Sequence, residues 1–532
     1  MYQTINGSAA AALLLDLPEE LLLEVLKNLD FRSILRCCCV CRLLQSAIKG
    51  SLELQYKIEL YADGLVDGPP IPNLTTADRL HLLLERRRRW RSLDWRRMES
   101  IPITGGCQAY ELVDGVFAKS MSTAFAGGSR HFTTVRLPTQ AEPARTIVRE
   151  NLGVPTRDFA MDPSQDLLAL VHNDEGNVGP PRIVIHFRTL STNEVHPKAS
   201  LAQLEAPMPL RTENSLIQVA DDVVALFYWA HGPGILIWNW QKGILLVNLT
   251  QNSIRRDVLP PMVWDFAFLS NRAFLVTTIA GVGTIEIYAF RGDVALEGGL
   301  EKPNSARRVA SLGMPPIKQT QELHAFNTHS GPFVHRPGTG QLFHTASDMC
   351  AHLFELNYGE HGRRFLLFVP NRFFLSFVPK EGEIAGVRHT IEQSWNEWGP
   401  LNSRVLHRRG RFQWLRYIHG HRLVLPLALP PSPPDTMIRE RLLIVCDFNV
   451  HPKRINDPVE KPDNCEIVTV PEVIPADDTF KEEVITYLPY ARSLKIVTFN
   501  YSGLMIDDER IVGMKSLAFA DGDMTDIDVF MF

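Results

Sequence analysis

A recurrence of short β-type runs, which begins near residue 105 and continues to residue 532, is the feature that most constrains the fold. Three units share an anchor followed by the same order of apolar runs, at Asp158–Ala160, Gln218–Ala220 and Asp265–Ala267. Residues 158 and 265 are 107 positions apart with one unit between them, so the period is about 53 residues. That period, with about four strands per unit, is typical of a β-propeller.

Weaker units extend the pattern on both sides, at about 107–140, 325–378, 404–450 and 494–532. Together the units predict an all-β, propeller-like body of about seven blades over residues 105–532. The last unit ends on a β run, as expected if the ring closes with that run. Long loops are predicted near 296–324, 426–436 and 456–483.

Residues 16–60 have a helical character that the rest of the chain lacks. Asp16 is expected to cap a first helix and Asp30 a second, because both side chains can accept hydrogen bonds from free helical N–H groups. The first helix carries a wide apolar stripe, formed by Leu21, Leu22, Val25, Leu26 and Leu29. Three helices within about 35 residues bury too little surface to be stable alone, so this module is expected to dock on another surface.

A spaced set of residues in the module follows a familiar pattern. It comprises Leu17-Pro18-x-Glu20-Leu21, then Val25, Leu29, Ile34, Val40-Cys41-Arg42 and Leu44. In this pattern the module resembles an F-box, with one departure at Leu44, where the family usually has tryptophan. Residues 54–97 are similar to the continuation seen in the expanded F-box family of mushroom-forming fungi.

The resemblance implies docking on the Skp-type adaptor of a cullin–RING ubiquitin ligase, as in an SCF complex. By motif position, nine residues would supply the contact face or its support: Leu17, Pro18, Leu21, Leu22, Val25, Leu26, Ile34, Val40 and Leu44. An apolar stripe larger than its own small core also suits recognition of a helix in a groove. The alternative is that the stripe packs only on the chain's own C-terminal body.

The sequence thus divides into a flexible tail 1–13, an F-box 14–60, a helical and Pro-rich connector 61–104 and the body 105–532. The connector is predicted to hold a helix that is capped at Thr76–Asp78 and runs to about Trp95. Its second half carries seven arginines between residues 86 and 97, which could form a solvated helix face, a nuclear-import patch or a nucleic-acid contact. The net charge of −5 favours the solvated face.

Residues that could carry chemistry do not form a recognisable catalytic or metal-binding pattern. The cysteine run 37–41 has no second pair at zinc-ligand spacing, so its thiols are expected to pack as small apolar groups. The histidines of segment 324–352 also have spacings that fit no metal site. Three tryptophans could line a pocket but are expected in blade cores, namely Trp395, Trp398 and Trp414. We therefore expect no catalytic residue, no cofactor and no metal.

Composition favours an intracellular protein. The eight cysteines do not form a disulfide framework, and Met1–Ser8 lacks the basic residues of a secretory signal. The apolar run Ala9–Leu15 is too short to span a membrane. We expect a cytoplasmic or nuclear protein, or both, without a membrane or nucleic-acid partner.

These features predict a non-catalytic, substrate-recognition subunit of an SCF-type ubiquitin ligase. The F-box would hold the Skp-type adaptor and, through it, a cullin–RING scaffold, and the propeller would bind an unknown protein that is to be ubiquitinated. One alternative is a propeller enzyme or small-molecule binder whose helical segment serves oligomerisation. Another is an F-box scaffold that binds the adaptor without turnover of a substrate.

Overall fold

The computed structural model divides the chain into two compact units. The first contains the residues up to Arg88 together with Gly340–His344, and the second contains Arg89–Thr339 and Thr345–Phe532. The structure describes residues 14–103, 105–121, 128–139, 142–172, 179–208, 214–250, 259–293, 295–297, 300–302, 306–333, 341–359, 363–407, 416–428, 441–451, 462–498, 501–516 and 524–532. The predicted flexible tail 1–13 lies outside the described residues.

The described part of the first unit is mainly helical. After a 3₁₀ turn at Leu14–Asp16 come helices α1 (Glu19–Lys27), α2 (Phe31–Cys38), α3 (Arg42–Gly50), α4 (Leu52–Ala62) and α5 (Thr76–Ser92). Helix α4 adds to the three helices that the sequence predicts. A short strand, Leu65–Asp67, pairs with strand Phe343–Thr345. The boundary between the two units falls inside α5.

Helix starts in this unit are fixed by local hydrogen bonds. The Asp30 carboxylate accepts two backbone N–H bonds from the first turn of α2, at 2.9 and 3.1 Å, which confirms the predicted cap. The predicted position of the first cap is wrong, because the N-cap residue of α1 is Pro18 and Asp16 ends the preceding 3₁₀ turn. Helix α5 is capped one residue earlier than predicted, since the Thr75 hydroxyl accepts the Asp78 N–H at 3.2 Å.

Buried aliphatic side chains join α1 to α4. Their core consists of Leu22, Leu26, Ile34, Leu44, Ala47, Ile48 and Leu54. A smaller cluster that includes Leu60 and Leu83 packs α4 against α5. Arg87 of α5 adds ion pairs to Glu59 at 2.7 Å and Asp63 at 2.8 Å. The prediction of a solvated arginine face is therefore wrong for Arg87, whose side chain is largely buried.

The second unit contains, within the described residues, seven sheets of at least four strands each, so the predicted seven-bladed propeller is confirmed. Their strands are antiparallel except for one added strand in blade 4. Blade 1 consists of Ala109–Val113, Val116–Ser120, Phe132–Arg136 and Arg145–Arg149. Blade 2 consists of Thr156–Asp162, Leu167–His172, Arg182–Thr189 and Gln203–Pro207. Blade 3 consists of Asn214–Ala220, Val223–Trp229, Pro233–Asn239 and Ile244–Thr250. Blade 4 consists of Val263–Ser270, Ala273–Thr278, Thr284–Ala289, Arg307–Gly313 and the parallel strand Ile391–Gln393.

The remaining blades carry insertions or strands from distant parts of the chain. Blade 5 consists of Leu323–Ser330, Ala351–Tyr358, Arg364–Pro370 and Arg404–His407. In sequence, helices α6 (Asn371–Leu375) and α7 (Trp395–Asn402) come between its last two strands, which are paired neighbours in the sheet. Blade 6 has the spatial order Ile418–His419, Arg422–Ala428, Arg441–Asp447, Tyr490–Val497 and Cys465–Val468. Blade 7 consists of Gly503–Ile506, Arg510–Ser516, Met524–Met531 and Arg97–Pro102.

Blade 7 joins the last described strand to a strand near residue 100. Strand Arg97–Pro102 pairs antiparallel with Met524–Met531, so the propeller begins before the predicted boundary at residue 104. The Trp90 ring stacks on Phe532 with centroids 4.0 Å apart. Trp95 adds an edge contact to Phe530 at 4.9 Å. The final β run is therefore a strand of blade 7, where it pairs with a strand from the start of the propeller, as expected for closure of the ring.

Three predicted loops contain regular structure. Segment 296–324 includes the strand Arg307–Gly313 of blade 4. It also includes a hairpin of Ala295–Glu297 and Leu300–Lys302, whose first residue lies just before the segment. Segment 456–483 includes Cys465–Val468 and Glu472–Ile474, the second of which pairs with Val484–Thr486. The loop prediction is therefore wrong for these strands and for residues 426–428, which end a strand of blade 6. Residues 429–436 and 456–461 lie outside the described residues.

Polar side chains at the three sequence anchors connect the inner strands of neighbouring blades. Asp158 accepts the backbone N–H of Ile217. Gln218 accepts the Phe268 N–H at 3.2 Å. Asp265 accepts the Thr328 N–H at 2.7 Å. An inner strand has one edge without a sheet neighbour, and these bonds satisfy backbone groups along that edge.

Candidate functional site

In the first unit, exposed apolar side chains on α1 and in the turn between α2 and α3 form an apolar face. Leu21 and Val25 are 53% and 41% exposed and, four residues apart on α1, project from the same side of the helix. Val40, in the turn after α2, is 70% exposed. Pro18 is exposed at the start of α1, and Leu17 is half-buried. These five residues of the predicted site therefore lie at or near the surface.

The other four predicted residues form the support beneath this face. Leu22, Leu26, Ile34 and Leu44 are all at most 3% exposed and belong to one core cluster. Leu22 and Leu26 follow directly after Leu21 and Val25, so α1 divides one wide stripe between core and surface. Leu44 fills the core although it is smaller than the tryptophan usual in the family.

Sequence reasoning missed three exposed apolar side chains that lie just before α1 and on α3. Leu14 and Leu15 precede α1 and are 44% and 45% exposed, and Leu43 on α3 is 51% exposed. Leu14 and Leu15 end the apolar run Ala9–Leu15, which is too short to span a membrane but would also suit contact with a partner. Leu43 lies beside Leu44, and single-sequence periodicity does not decide which of two adjacent leucines faces inward.

Charged groups tie α1 to α4. Lys27, in the last turn of α1, contacts Glu24 at 2.8 Å and Glu53 at 2.7 Å. Hydrogen bonds to these two carboxylates raise the pKa of Lys27. Lys57 donates to the backbone carbonyls of Lys27 and Leu29 at the C-terminal end of α1. These bonds fix the orientation of α1, and with it the exposed stripe.

The cysteines and histidines lie in separate environments. Cys37, Cys38 and Cys41 pack against the helical core, whereas Cys39 is exposed. His352 is buried beside Asn371, and burial lowers the pKa of His352 to about 4. Across the described residues, no group of His, Cys, Asp and Glu side chains is placed to hold a metal ion.

The tryptophans of α7 belong to the core of the second unit. Trp395 and Trp398 are 4% and 1% exposed, and the Trp398 Nε1 donates to the Gly313 carbonyl at 2.8 Å. Trp414 lies outside the described residues. Arg91 is also buried in this unit, so the prediction of a solvated arginine face is wrong for it as well.

A known domain family matches part of the first unit. Residues 14–55 match the model of the F-box domain. These residues are an F-box. The F-box therefore covers α1 to α3 and ends within α4, while the exposed and buried halves of the α1 stripe both lie inside it. Among curated proteins, no match to the chain was found.

Solved propeller structures are similar over most of the chain. The WD40 domain of SCAP from fission yeast covers 82% of this chain and 98% of its own, with 9% identity and a TM-score of 0.38. The WD40 β-propeller domain of Doa1 covers 81% of this chain and 95% of its own, with 10% identity and a TM-score of 0.32. The number of blades follows from the seven sheets that the described residues form.

An F-box followed by a seven-bladed propeller supports an adaptor role in general terms.

None of the described helices combines the length and the apolar character needed to cross a membrane.

Proposed function

We propose that the chain is a substrate receptor of an SCF-type ubiquitin ligase. The F-box binds a Skp-type adaptor, and through it a cullin–RING scaffold, while the propeller binds the protein to be ubiquitinated. The observation that carries the proposal is the F-box match at residues 14–55, on which Leu21, Val25 and Val40 are exposed. The receptor acts in the cytoplasm, the nucleus or both.

The exposed face gives the adaptor contact its physical basis. Burial of apolar surface contributes roughly 25 cal/mol per Å², and a small helical unit has little core to cover this face itself. A helix that presents residues at i and i+4 suits a groove lined by apolar side chains.

In this role the chain makes and breaks no covalent bond. Its contribution is proximity, because a target held on the propeller presents its lysines at a high effective concentration to a conjugating enzyme bound elsewhere in the assembly. A rigid ring of blades suits this task because its connecting loops lie on a fixed scaffold.

Capture of a purified Skp-type adaptor by the full chain tests the proposal. The double variant Leu21→Asp plus Val25→Asp should abolish capture, since each new carboxylate would be buried in an apolar contact without a partner. Both side chains are exposed, so the variant should keep its helical circular dichroism.

A matched control separates loss of the contact from a general effect of surface charge. Leu52 and Leu84, at 55% and 41% exposure, have nearly the same exposure as Leu21 and Val25 but lie outside the predicted contact. The variant Leu52→Asp plus Leu84→Asp should capture the adaptor as well as the unmodified chain does. Equal capture by both double variants would refute the proposed contact.

A reconstituted ubiquitination reaction with a co-purified partner tests the second half of the proposal. Ubiquitin conjugates on the partner that disappear with the Leu21→Asp plus Val25→Asp variant would support a receptor. Adaptor capture without any conjugates on the partner would instead identify a non-degradative F-box scaffold.

A further inference from the structure

A cavity of about 500 Å³ opens in the propeller where blades 3, 4 and 5 meet. Its walls come from the first residues of two inner strands, Asn214–Ala220 and Val263–Ser270, and from Asn327 of a third. Trp229, at the end of the second strand of blade 3, lines it from the side. The volume lies within the range of pockets that bind small groups.

Aromatic rings form much of the cavity wall. Trp229 contacts the edge of Phe227 with ring centroids 6.3 Å apart, and both rings line the cavity. Trp264, on the neighbouring blade, is held in place by its indole Nε1, which donates to the Asn327 side-chain oxygen at 2.8 Å. Trp229 and Trp264 are both only half-buried, so the cavity presents two indole groups that the core does not fully cover.

Acceptor groups complete the site. Asp265 accepts the Phe266 N–H at 2.8 Å on one oxygen and the Thr328 N–H at 2.7 Å on the other. A carboxylate offers about four lone-pair sites, so further acceptor capacity remains on each oxygen. The Ser215 hydroxyl oxygen is buried in the same wall and finds no hydrogen-bond partner among the described residues. Among the described residues that line the cavity, Asp265 is the one with a titratable charge.

We propose that this cavity binds a basic side chain, lysine or arginine, of a target protein. The two indoles offer the π faces over which a cation is attracted, and Asp265 offers the opposite charge. An anionic group such as a phosphate would meet a carboxylate and no compensating cation among the described lining residues. The inference rests on the proposed function, for which it names the chemistry that the propeller recognises.

The environment of Asp265 agrees with this assignment. Burial raises the pKa of its carboxyl to about 7, because the ionised form is poorly solvated at that position. A bound lysine or arginine would supply the missing countercharge and so favour the ionised carboxylate.

Ligand-observed NMR with the purified full chain tests the proposal. The probes are blocked alanine pentapeptides that differ only at the central residue, which is lysine, trimethyllysine, arginine, norleucine or phosphoserine. Lysine or arginine peptides should bind at millimolar concentration, and the norleucine and phosphoserine peptides should not. The trimethyllysine arm shows whether the π faces alone suffice, since that cation cannot donate a hydrogen bond to Asp265. Norleucine binding as strong as that of lysine, or no binding of either basic peptide, would overturn the proposal.

Two variants locate the binding within the chain. Asp265→Asn should weaken binding of the lysine peptide about tenfold or more, because it removes the charge that pairs with the cation. Asp158→Asn is the matched control: Asp158 occupies the same repeat position in blade 2 and accepts corresponding backbone bonds, but does not line the cavity. Equal weakening by both variants would show a structural effect and overturn the assignment.

A further variant and a second readout keep the result interpretable. If Asp265→Asn fails to fold, Trp229→Leu removes a half-buried π face instead and should also weaken binding about tenfold. Adaptor capture, measured on the same preparations, should be unchanged in every variant of the cavity. A chain that binds the lysine peptide but not the adaptor would refute the proposed function alone, and the reverse result would refute the cavity alone.

Discussion

Two opposing effects act on the ionisation of Asp265, and the pH dependence of stability shows which is larger. Burial disfavours the charged carboxylate, whereas the N–H groups of Phe266 and Thr328 favour it. Burial dominates, and the pKa rises from 3.8 to about 7. The folded chain therefore binds a proton at Asp265 between about pH 4 and pH 7 that the unfolded chain has lost.

The sign and size of the effect follow from proton linkage. Because the folded-state pKa is raised, the contribution of Asp265 to stability is fully present below about pH 4 and is lost as pH rises to about 7. A shift of roughly 3 units corresponds to about 4 kcal/mol in the free energy of unfolding. This is an upper limit, since the carboxyl faces a cavity where water can stabilise the ionised form.

Urea unfolding of the full chain and of Asp265→Asn, followed by tryptophan fluorescence from pH 5 to pH 8, measures this contribution. Asparagine accepts only one of the two N–H bonds, which costs about 1–3 kcal/mol, but it is neutral at every pH and so escapes the linked loss. The deficit of the variant should therefore be largest at pH 5 and should not exceed this hydrogen-bond cost. The difference should shrink as pH rises and level off above about pH 7. A difference that instead grows with pH would refute the reasoning, because it would mean that the two N–H bonds outweigh burial.

Two further substitutions test contacts that hold each unit together. Arg87→Ala removes ion pairs from α5 to Glu59 and Asp63 and should lower the free energy of unfolding of the helical unit by about 3 kcal/mol. The control Arg36→Ala, at an exposed position on α2, should cost under about 0.5 kcal/mol in the same circular-dichroism melt. Phe532→Ala removes a ring that is 7% exposed and stacked on Trp90, and should cost about 3–5 kcal/mol in urea unfolding of the propeller. A loss below about 1 kcal/mol would contradict the importance of that stack.

The helical unit shows what an apolar pattern can and cannot predict. The stripe on α1 predicted that part of its apolar surface would stay exposed. The stripe is formed by Leu21, Leu22, Val25 and Leu26 and spans more of the helix than a small core can cover. Which half faces inward depends on the positions of α3 and α4, which the sequence of α1 does not contain. The structure buries Leu22 and Leu26 and exposes Leu21 and Val25.

In the propeller the regular blades were predictable and the interrupted ones were not. Blades 2, 3 and 4 carry the anchors and follow one another at nearly constant spacing. In blade 5, the residues between Pro370 and Arg404 separate its last two strands, so the predicted unit at 404–450 wrongly began with the end of blade 5. Strand Arg97–Pro102 was missed because its charged residues hide the alternation of a β-strand.

The anchors also explain why carboxyl groups recur inside apolar β runs. The inner strands line the ring and leave backbone N–H groups on an edge that no sheet neighbour covers, and an unpaired N–H there would cost free energy. Asp158, Gln218 and Asp265 each supply an acceptor to the next blade, so a buried polar side chain at this position first serves the fold. Asp265 differs from Asp158 because it also lines a cavity, whose wall includes the indoles of Trp229 and Trp264. A carboxyl group that accepts backbone bonds can thus also bind a ligand where neighbouring blades enclose a cavity, and its backbone contacts need not change.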